Sequence, residues 1–205
     1  SVAGVRYDVV DKRQKGRKID IHFNGDLYSE QQIAAEKMLY NDIGVLAAAT
    51  AFGKTVLGAY LIAEKKVNAL VLVHNVEIMN NWIKDLSSFL TINEELPTYT
   101  TPKGRVKKRS SLIGTFSSQK DSTTGIIDIA MITSLGREDN INELVRNYGM
   151  VIVDECHHAA AVTHENVLRA VTARYVYGMS ATINRGDKQD KKMFMQLGPI
   201  RHRYT

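Results

Sequence analysis

Residues 43–65 read IGVLAAATAFGKTVLGAYLIAEK and contain the strongest indication of the fold class. Ile43–Ala48 is a short apolar run, typical of a strand buried on both faces of a parallel sheet. Lys54–Lys65 has the apolar spacing of a helix. A loop of mostly small residues joins the two. A strand, such a loop and a helix in this order predict an anion-binding site at the start of the helix.

The loop has the residue types that phosphate binding requires. Small residues let backbone N–H groups approach phosphate oxygens, and the dipole of the following helix favours an anion. A lysine contacts the β and γ phosphates and a hydroxyl binds Mg²⁺; Lys54 and Thr55 supply these groups. The alternative is a Gly-Lys-Thr sequence that occurs by chance at a helix start. The candidate residues of this phosphate-binding loop are Ala48, Ala49, Thr50, Ala51, Phe52, Gly53, Lys54 and Thr55.

A second apolar run, Met150–Val153, is followed by two carboxylates, Asp154 and Glu155. The carboxyl ends of parallel strands lie at one edge of the sheet, so this acidic pair should face the phosphate-binding loop. Asp154 can hold Mg²⁺ through water, and Glu155 can polarise a water for in-line attack on a γ phosphate. The alternative is an exposed turn. A zinc site at residues 156–158 is disfavoured, because three consecutive residues have the wrong spacing.

Strands and helices alternate along the chain and predict an α/β domain with a mainly parallel sheet and helices on both faces. Further strands are expected at 19–23, 69–73, 126–132 and 174–179, and further helices at 29–40, 77–90, 140–147 and 164–172. Ser29 and Gln32 are expected to form a capping box at the start of the helix at 29–40. Ser180 and Thr182 follow the strand at 174–179, where their hydroxyls either cap the strand end or respond to chemistry at the acidic pair.

The composition is that of a globular protein. Apolar residues make up 44% and charged residues 24%, which excludes a wholly disordered or fibrous chain. No apolar run approaches the about 18 residues of a membrane span, so no membrane association is expected. The single cysteine, Cys156, excludes an internal disulfide and favours a reducing, cytoplasmic setting.

The basic excess is concentrated in one segment. The chain has a net charge of +5, and Pro102–Lys120 contains six basic and no acidic residues, which leaves the remainder nearly neutral. The segment is interpreted either as a solvated loop or hairpin with lysines at a sheet edge, or as a patch that follows a nucleic-acid backbone. The candidate contacts are Lys103, Arg105, Lys107, Lys108 and Arg109.

The ordered set of motifs resembles the first motor domain of a superfamily 2 DEAD/DEAH-box helicase or translocase, with an acidic box of the Asp-Glu-Cys-His kind. The segments are Leu27–Gln31 (similar to the Q motif), Ala48–Thr55 (motif I), Leu72–Asn75 with Asn81-Trp82 (Ia), Met131–Leu135 (Ib), Asp154–His157 (II) and Ser180–Thr182 (III). An alanine at the first position of motif I is common in this superfamily. Thr182–Asp187 resembles the tail of motif III, with Ile183 in place of proline, and residues 194–200 resemble a continuation seen in bacterial restriction and repair helicases.

The resemblance implies a single RecA-like P-loop NTPase domain at residues 19–205, after an N-terminal extension at residues 1–18. It implies ATP and Mg²⁺ as cofactors. Leu27 and Gln31 would bind the adenine end of ATP, residues 48–55 the phosphates, and Thr55 and Asp154 the metal. The implied catalytic residues are Lys54, Asp154 and Glu155, the implied coupling residues are His157, Ser180 and Thr182, and the implied nucleic-acid contacts are His74, Asn75, Thr133 and Ser134.

The resemblance also implies partners. Nucleic acid is expected, with DNA favoured over RNA, and so is a second RecA-like domain in cis. The residues after Thr182 are too few to form that domain, so a fragment of a longer protein, monomeric and weakly active alone, is expected. The alternatives are a P-loop NTPase or kinase of another class, for which no acceptor pocket or lid stands out, and a nucleotide-gated nucleic-acid-binding module, which would lack Lys54 or Glu155.

Overall fold

The computed structural model describes residues 10–137, 140–157, 162–181 and 188–204. In chain order the elements are β1 (Ile21–Phe23), α1 (Ser29–Leu39), β2 (Ile43–Ala48), α2 (Lys54–Lys65), β3 (Ala69–Val73), α3 (Val76–Phe89), β4 (Leu90–Ile92), β5 (Thr98–Thr100), β6 (Val106–Lys108), β7 (Ile113–Phe116), β8 (Ile127–Met131), α4 (Ile132–Leu135), β9 (Gly136–Arg137), β10 (Asn140–Ile141), β11 (Met150–Asp154), α5 (Val162–Ala170), β12 (Tyr175–Ser180), α6 (Lys188–Leu197) and β13 (Ile200–Tyr204). Short 3₁₀ turns occur at Thr50–Phe52 and Glu143–Arg146.

A seven-stranded sheet lies at the centre of the described residues, in the order β13-β2-β12-β11-β3-β8-β7. Every pairing within it is parallel. The expected α/β fold with a parallel sheet is therefore confirmed. Because the strands are parallel, their carboxyl ends lie at one edge, which we term the carboxyl edge.

Both faces of the sheet are covered by helices, as the apolar runs predict. Alternate residues of β3 point to opposite faces: Val71 packs in a core with residues of α1, α2 and α3, whereas Leu70 packs in a second core with residues of α5 and α6. Burial of one such side chain stabilises the fold by about 1.5–3 kcal/mol. Packing on both faces therefore fixes the strands whose carboxyl ends carry the candidate site residues.

Two local predictions are wrong. The expected helix at 140–147 is instead the short strand β10 followed by a single 3₁₀ turn, because the Asn142 side chain accepts a hydrogen bond from the Leu144 N–H at 2.9 Å and caps that turn. The capping box of α1 is displaced by one residue. Tyr28 is the N-cap, and the Gln31 side chain, rather than that of Gln32, accepts a hydrogen bond from its backbone N–H.

Several short elements lie outside the main sheet. Strand β1, within the strand expected at 19–23, pairs with β4, which the sequence did not predict. Strands β5 and β6 form a separate antiparallel hairpin that includes the first part of the basic segment, as one of its two interpretations predicted, although it is not paired with the main sheet. The described part of the chain contains no helix with the length and apolar character that a bilayer crossing needs.

Candidate active site

The phosphate-binding loop connects β2 to α2 at the carboxyl edge. Gly53 ends the loop with a φ of +79°, a left-handed conformation that side chains rarely adopt. A Cβ atom at this position would lie 2.6 Å from Nε2 of Gln31. The backbone conformation therefore favours glycine here, and any larger residue would also have to displace the Gln31 amide.

Lys54 connects the loop to the acidic pair. Its side chain is buried, and its Nζ donates a hydrogen bond to the Ala48 carbonyl at 3.3 Å. The same Nζ lies 3.7 Å from Oε1 of Glu155. Thr55 follows in the first turn of α2 and is half-buried. A cation, a hydroxyl and a carboxylate from two separate sequence motifs are thus brought together at one helix N-terminus.

Asp154 is the last residue of β11, and both of its oxygens accept hydrogen bonds from the protein. Oδ2 accepts from Nε1 of Trp82 and Oδ1 from the backbone N–H of Glu155, each at 2.8 Å. Burial raises the pKa of Asp154 above its usual range, while the Trp82 hydrogen bond opposes this change because it favours the carboxylate. The sequence pattern placed Trp82 only within motif Ia and gave no sign of this contact, which joins residues 72 positions apart.

Glu155 is one of the few non-glycine residues with a positive φ, +46°. This conformation turns its carboxylate toward β12 as well as toward Lys54. Oε2 lies 3.3 Å from Nδ1 of His157 and accepts a hydrogen bond from the Ala181 N–H at 3.4 Å. Nδ1 of His157 is also 2.7 Å from Oγ of the buried Ser180. The segments that resemble motifs II and III are therefore in direct contact, while Thr182 lies outside the described residues.

Gln31 joins α1 to the phosphate-binding loop. Its Oε1 accepts from the Tyr28 N–H at 3.0 Å, and its Nε2 donates to the Phe52 carbonyl at 2.8 Å. A cavity of about 220 Å³ opens beside it and is lined by Tyr28, Glu30, Gln31, Ala49, Ala51, Phe52 and Tyr204. The ring centroids of Tyr204 and Phe52 are 4.9 Å apart.

Leu27, an expected ATP-binding residue, does not line this cavity. It lines a different cavity of about 330 Å³, together with Phe23 and Tyr60. Two tyrosines take its place beside the loop. Tyr28 was visible in the sequence as the neighbour of Leu27, whereas Tyr204 comes from the far end of the chain and has no local sequence signal.

The candidate nucleic-acid contacts from motifs Ia and Ib follow β3 and β8 at the same carboxyl edge. Asn75 caps α3 by accepting a hydrogen bond from the Ile78 N–H at 2.8 Å, and His74 lines a narrow cleft with the acidic pair. Thr133 is exposed in α4, and Oγ of Ser134 accepts a hydrogen bond from the Ser118 N–H at 3.0 Å.

The basic segment contributes strand β6 to an antiparallel hairpin, here termed the basic hairpin (residues 98–109). Its exposed cations are Lys103, Arg105, Lys107 and Lys108. Arg109 differs from them, because its guanidinium lies 4.2 Å from the centre of the Tyr99 ring and 3.7 Å from Oδ1 of Asp121. Arg109 therefore anchors the hairpin to the turn after β7, an internal role that its place in a run of basic residues did not indicate.

Comparisons with known proteins bear on the family and the fold. Residues 24–185 match the family described as "Type III restriction enzyme, res subunit". The chain is 25% identical, over 89% of its length and 33% of the relative's, to a putative ATP-dependent RNA helicase of Acanthamoeba polyphaga mimivirus. It is 26% identical, over 90% of its length and 32% of the relative's, to the "DNA 3'-5' helicase XPB" of Mycobacterium tuberculosis. It thus spans about one third of the length of each.

A solved structure supports the fold. The Sulfolobus solfataricus SWI2/SNF2 ATPase core in complex with dsDNA matches with a TM-score of 0.65 and 14% identity, over 90% of this chain and 38% of that one. At this level of identity the match bears on the fold alone.

Proposed function

The chain belongs to the family described as type III restriction enzyme, res subunit, and we propose that it is the first RecA-like motor domain of an ATP-dependent helicase or translocase. The observation that carries the proposal is the 3.7 Å approach between Nζ of Lys54 and Oε1 of Glu155. It joins the residue that would meet the β and γ phosphates to the residue that would handle the attacking water. Domain bounds of 19–205 are part of the same proposal.

The residues at the carboxyl edge fit an Mg²⁺–nucleotide. The tight turn at Gly53, where a Cβ would meet Gln31, leads directly into the N-terminus of α2. Magnesium usually keeps several waters and binds through one or two carboxylates together with substrate phosphates, and Asp154 and the Thr55 hydroxyl would provide the protein's share. When bound, the metal supplies charge neutralisation between the β and γ phosphates.

Each residue of the candidate site would then have a defined role in ATP binding or hydrolysis. Lys54 donates to phosphate oxygens in place of its hydrogen bond to Ala48. Glu155 accepts a proton from the attacking water at a carboxylate oxygen. His157 contacts both Glu155 and Ser180, the last residue of β12. These two residues would transmit a change in the position of the acidic pair during hydrolysis to β12. Tyr28 and Gln31 border the cavity that would hold the adenine end.

Nucleic acid is the proposed partner, with DNA favoured over RNA. The M. tuberculosis relative is named as a DNA helicase and the SWI2/SNF2 core was solved with duplex DNA, although the mimivirus relative is named as an RNA helicase. Exposed Thr133 and the four cations of the basic hairpin would contact the phosphate backbone, which gives binding that is largely independent of base sequence.

The proposal also includes a second RecA-like domain in the whole protein, a monomeric state for this domain and a reducing, cytoplasmic setting. The relatives extend well beyond the matched region, which supports the second domain. The single Cys156 is buried and supports the reducing setting.

The test is ATP turnover by the longer protein with single-stranded DNA, duplex DNA, RNA or no polymer. We expect DNA to stimulate turnover and RNA to do so less. Stimulation by RNA alone would reverse the choice of polymer. Equal turnover under all four conditions would contradict a nucleic-acid motor and favour a P-loop enzyme of another class.

A further inference from the structure

Trp82 in α3 contacts the carboxylate to which the proposed function assigns Mg²⁺. Its indole Nε1 donates a hydrogen bond to Oδ2 of Asp154 at 2.8 Å, and the side chain is completely buried. Oδ1 of the same carboxylate accepts from the backbone N–H of Glu155. Asp154 is therefore held at both oxygens, once by its own strand end and once by a separate helix.

The indole has little freedom to move. It packs against Gly58 in α2, one turn after Lys54 and Thr55, where a Cβ atom would lie 2.4 Å from Cη2 of Trp82 and 2.9 Å from Cζ3. Only a glycine at 58 leaves room for the ring. One side chain thus spans the space between the helix that follows the phosphate-binding loop and the end of β11.

The chemical nature of the donor matters as much as its position. An indole N–H is a neutral donor, so it fixes the orientation of a carboxylate without cancelling its charge, as Lys or Arg would. A carboxylate has about four lone-pair sites, so two accepted hydrogen bonds leave sites on both oxygens for the waters of a metal ion. Outer partners of this kind orient metal ligands in many proteins.

We propose that Trp82 is a positioning residue for the magnesium site, holding the Asp154 carboxylate in the orientation that receives Mg²⁺–nucleotide. This inference rests on the proposed function. The contact has a second consequence, because α3 begins at its cap residue Asn75, a proposed nucleic-acid contact. A displacement of α3 by a bound polymer would reach Asp154 through a single hydrogen bond.

The hydrogen bond itself can be tested by NMR. Trp82 is the single tryptophan of the chain, so one indole N–H cross-peak is expected. In Asp154→Asn that cross-peak should move and its proton should exchange faster with solvent. In Glu155→Gln, the matched neutralisation of the next residue, it should move much less. An indole signal that is unchanged in Asp154→Asn would overturn the proposal.

The positioning role is tested with Trp82→Phe, and Tyr177→Phe is the matched control. Tyr177 is also a fully buried aromatic residue, and its hydroxyl donates one hydrogen bond, to the Asn41 carbonyl at 2.7 Å, away from the acidic pair. Affinity for ADP would be measured with Mg²⁺ and with EDTA, and thermal unfolding for each variant. We expect Trp82→Phe to lose about 10-fold or more of the affinity that Mg²⁺ adds, and Tyr177→Phe to lower only the Tm.

Two results would count against the proposal in different ways. If the wild-type chain binds Mg–ADP no better than Lys54→Ala, the proposed function fails and the role of Trp82 fails with it. If the wild type binds well and Trp82→Phe keeps the full Mg²⁺ dependence while losing thermal stability, Trp82 is only a core residue and the proposed function stands.

Discussion

At the scale of single residues, the carboxyl edge is organised by contacts between side chains of separate motifs. Lys54, Asp154 and Glu155 each contact a group outside their own motif: Lys54 contacts Glu155, Asp154 contacts Trp82, and Glu155 contacts the Ala181 N–H. The identities of these three residues could be predicted from the sequence, because a strand that ends in such residues places them at the same edge. The places of Trp82, which contacts Asp154, and of Tyr204, which contacts Phe52 in the loop, could not be predicted, because no local pattern relates residues so far apart.

Replacing Lys54 with Ala should weaken Mg–ATP binding by roughly 10- to 100-fold, since a hydrogen bond to a charged group contributes about 1.5–3 kcal/mol. Calorimetric titration of the chain with ATP measures the change. Lys65→Ala is the control, because Lys65 lies at the other end of α2, where it donates to the Leu39 carbonyl. Equal affinity in wild type and Lys54→Ala would show that the loop assignment is wrong.

Gly53→Ala and Gly104→Ala form a matched pair. Both glycines have a positive φ, +79° and +76°, so alanine should cost about 1 kcal/mol of stability at either position. Only at Gly53 does the new Cβ also meet Gln31, whereas nothing lies within 4 Å at Gly104. We expect nucleotide affinity to fall in Gly53→Ala alone. A similar decrease in both variants would mean that the Gln31 contact is irrelevant to binding.

At the scale of elements, the basic hairpin is held at Arg109, next to the end of β6, by contacts with the rest of the domain. Arg109 contacts Tyr99 and Asp121, and the turn at 117–120 contacts Ser134 in α4. The hairpin is therefore connected, through Asp121 and the turn at 117–120, to the segment that resembles motif Ib.

Changing Lys103, Lys107 and Lys108 together to Ala should weaken DNA binding and reduce its salt dependence, by about 0.9 in the logarithmic slope for each phosphate that is no longer neutralised. Fluorescence anisotropy of labelled DNA at several salt concentrations measures both. The control is the triple variant of Lys12, Lys15 and Lys18, exposed lysines in the segment next to the opposite, amino edge of the sheet. If both triple variants reduce the slope equally, the effect is one of net charge and the hairpin has no special role.

The buried strands could be predicted with their approximate bounds, whereas a hairpin was only one of two interpretations of the exposed basic segment, for a physical reason. Strands β2, β3 and β11 are apolar on both faces, so their sequences carry a strong signal. By contrast, β6 is exposed throughout and consists of only three residues, Val106–Lys108, which leaves no pattern to detect. The helix expected at 140–147 had plausible spacing, but the Asn142 side chain competes for the backbone N–H groups there.

At the scale of the whole molecule, Lys54, Asp154 and Glu155 all belong to one domain, and a second RecA-like domain is proposed to complete the site around the nucleotide. In related NTPases an arginine supplied from outside the loop raises the rate by about 10³–10⁵. The chain alone should therefore bind Mg–ATP but turn it over slowly, and the longer protein should be fast. Glu155→Gln in the longer protein should keep ATP binding and abolish turnover, as measured by phosphate release.

Turnover by the chain alone tests the need for a second domain, and turnover by Glu155→Gln in the longer protein tests the role of Glu155 as base. Fast turnover by the chain alone would show that no second domain is needed. Retained turnover in Glu155→Gln would remove that residue from the role of base. The fold class followed from the alternation of strands and helices, whereas the proposed second domain leaves no signal in the residues that pack around this sheet.

The contact between Trp82 and Asp154 also gives the molecule an optical property. The chain has one tryptophan and nine tyrosines. Emission excited at the red edge of aromatic absorption, where indole dominates, therefore comes from Trp82 in α3, beside the end of β11. The intensity of that emission depends on the charge and polarity next to the ring. An event that changes the charge on Asp154 should therefore change the intrinsic fluorescence of Trp82, which requires no added label.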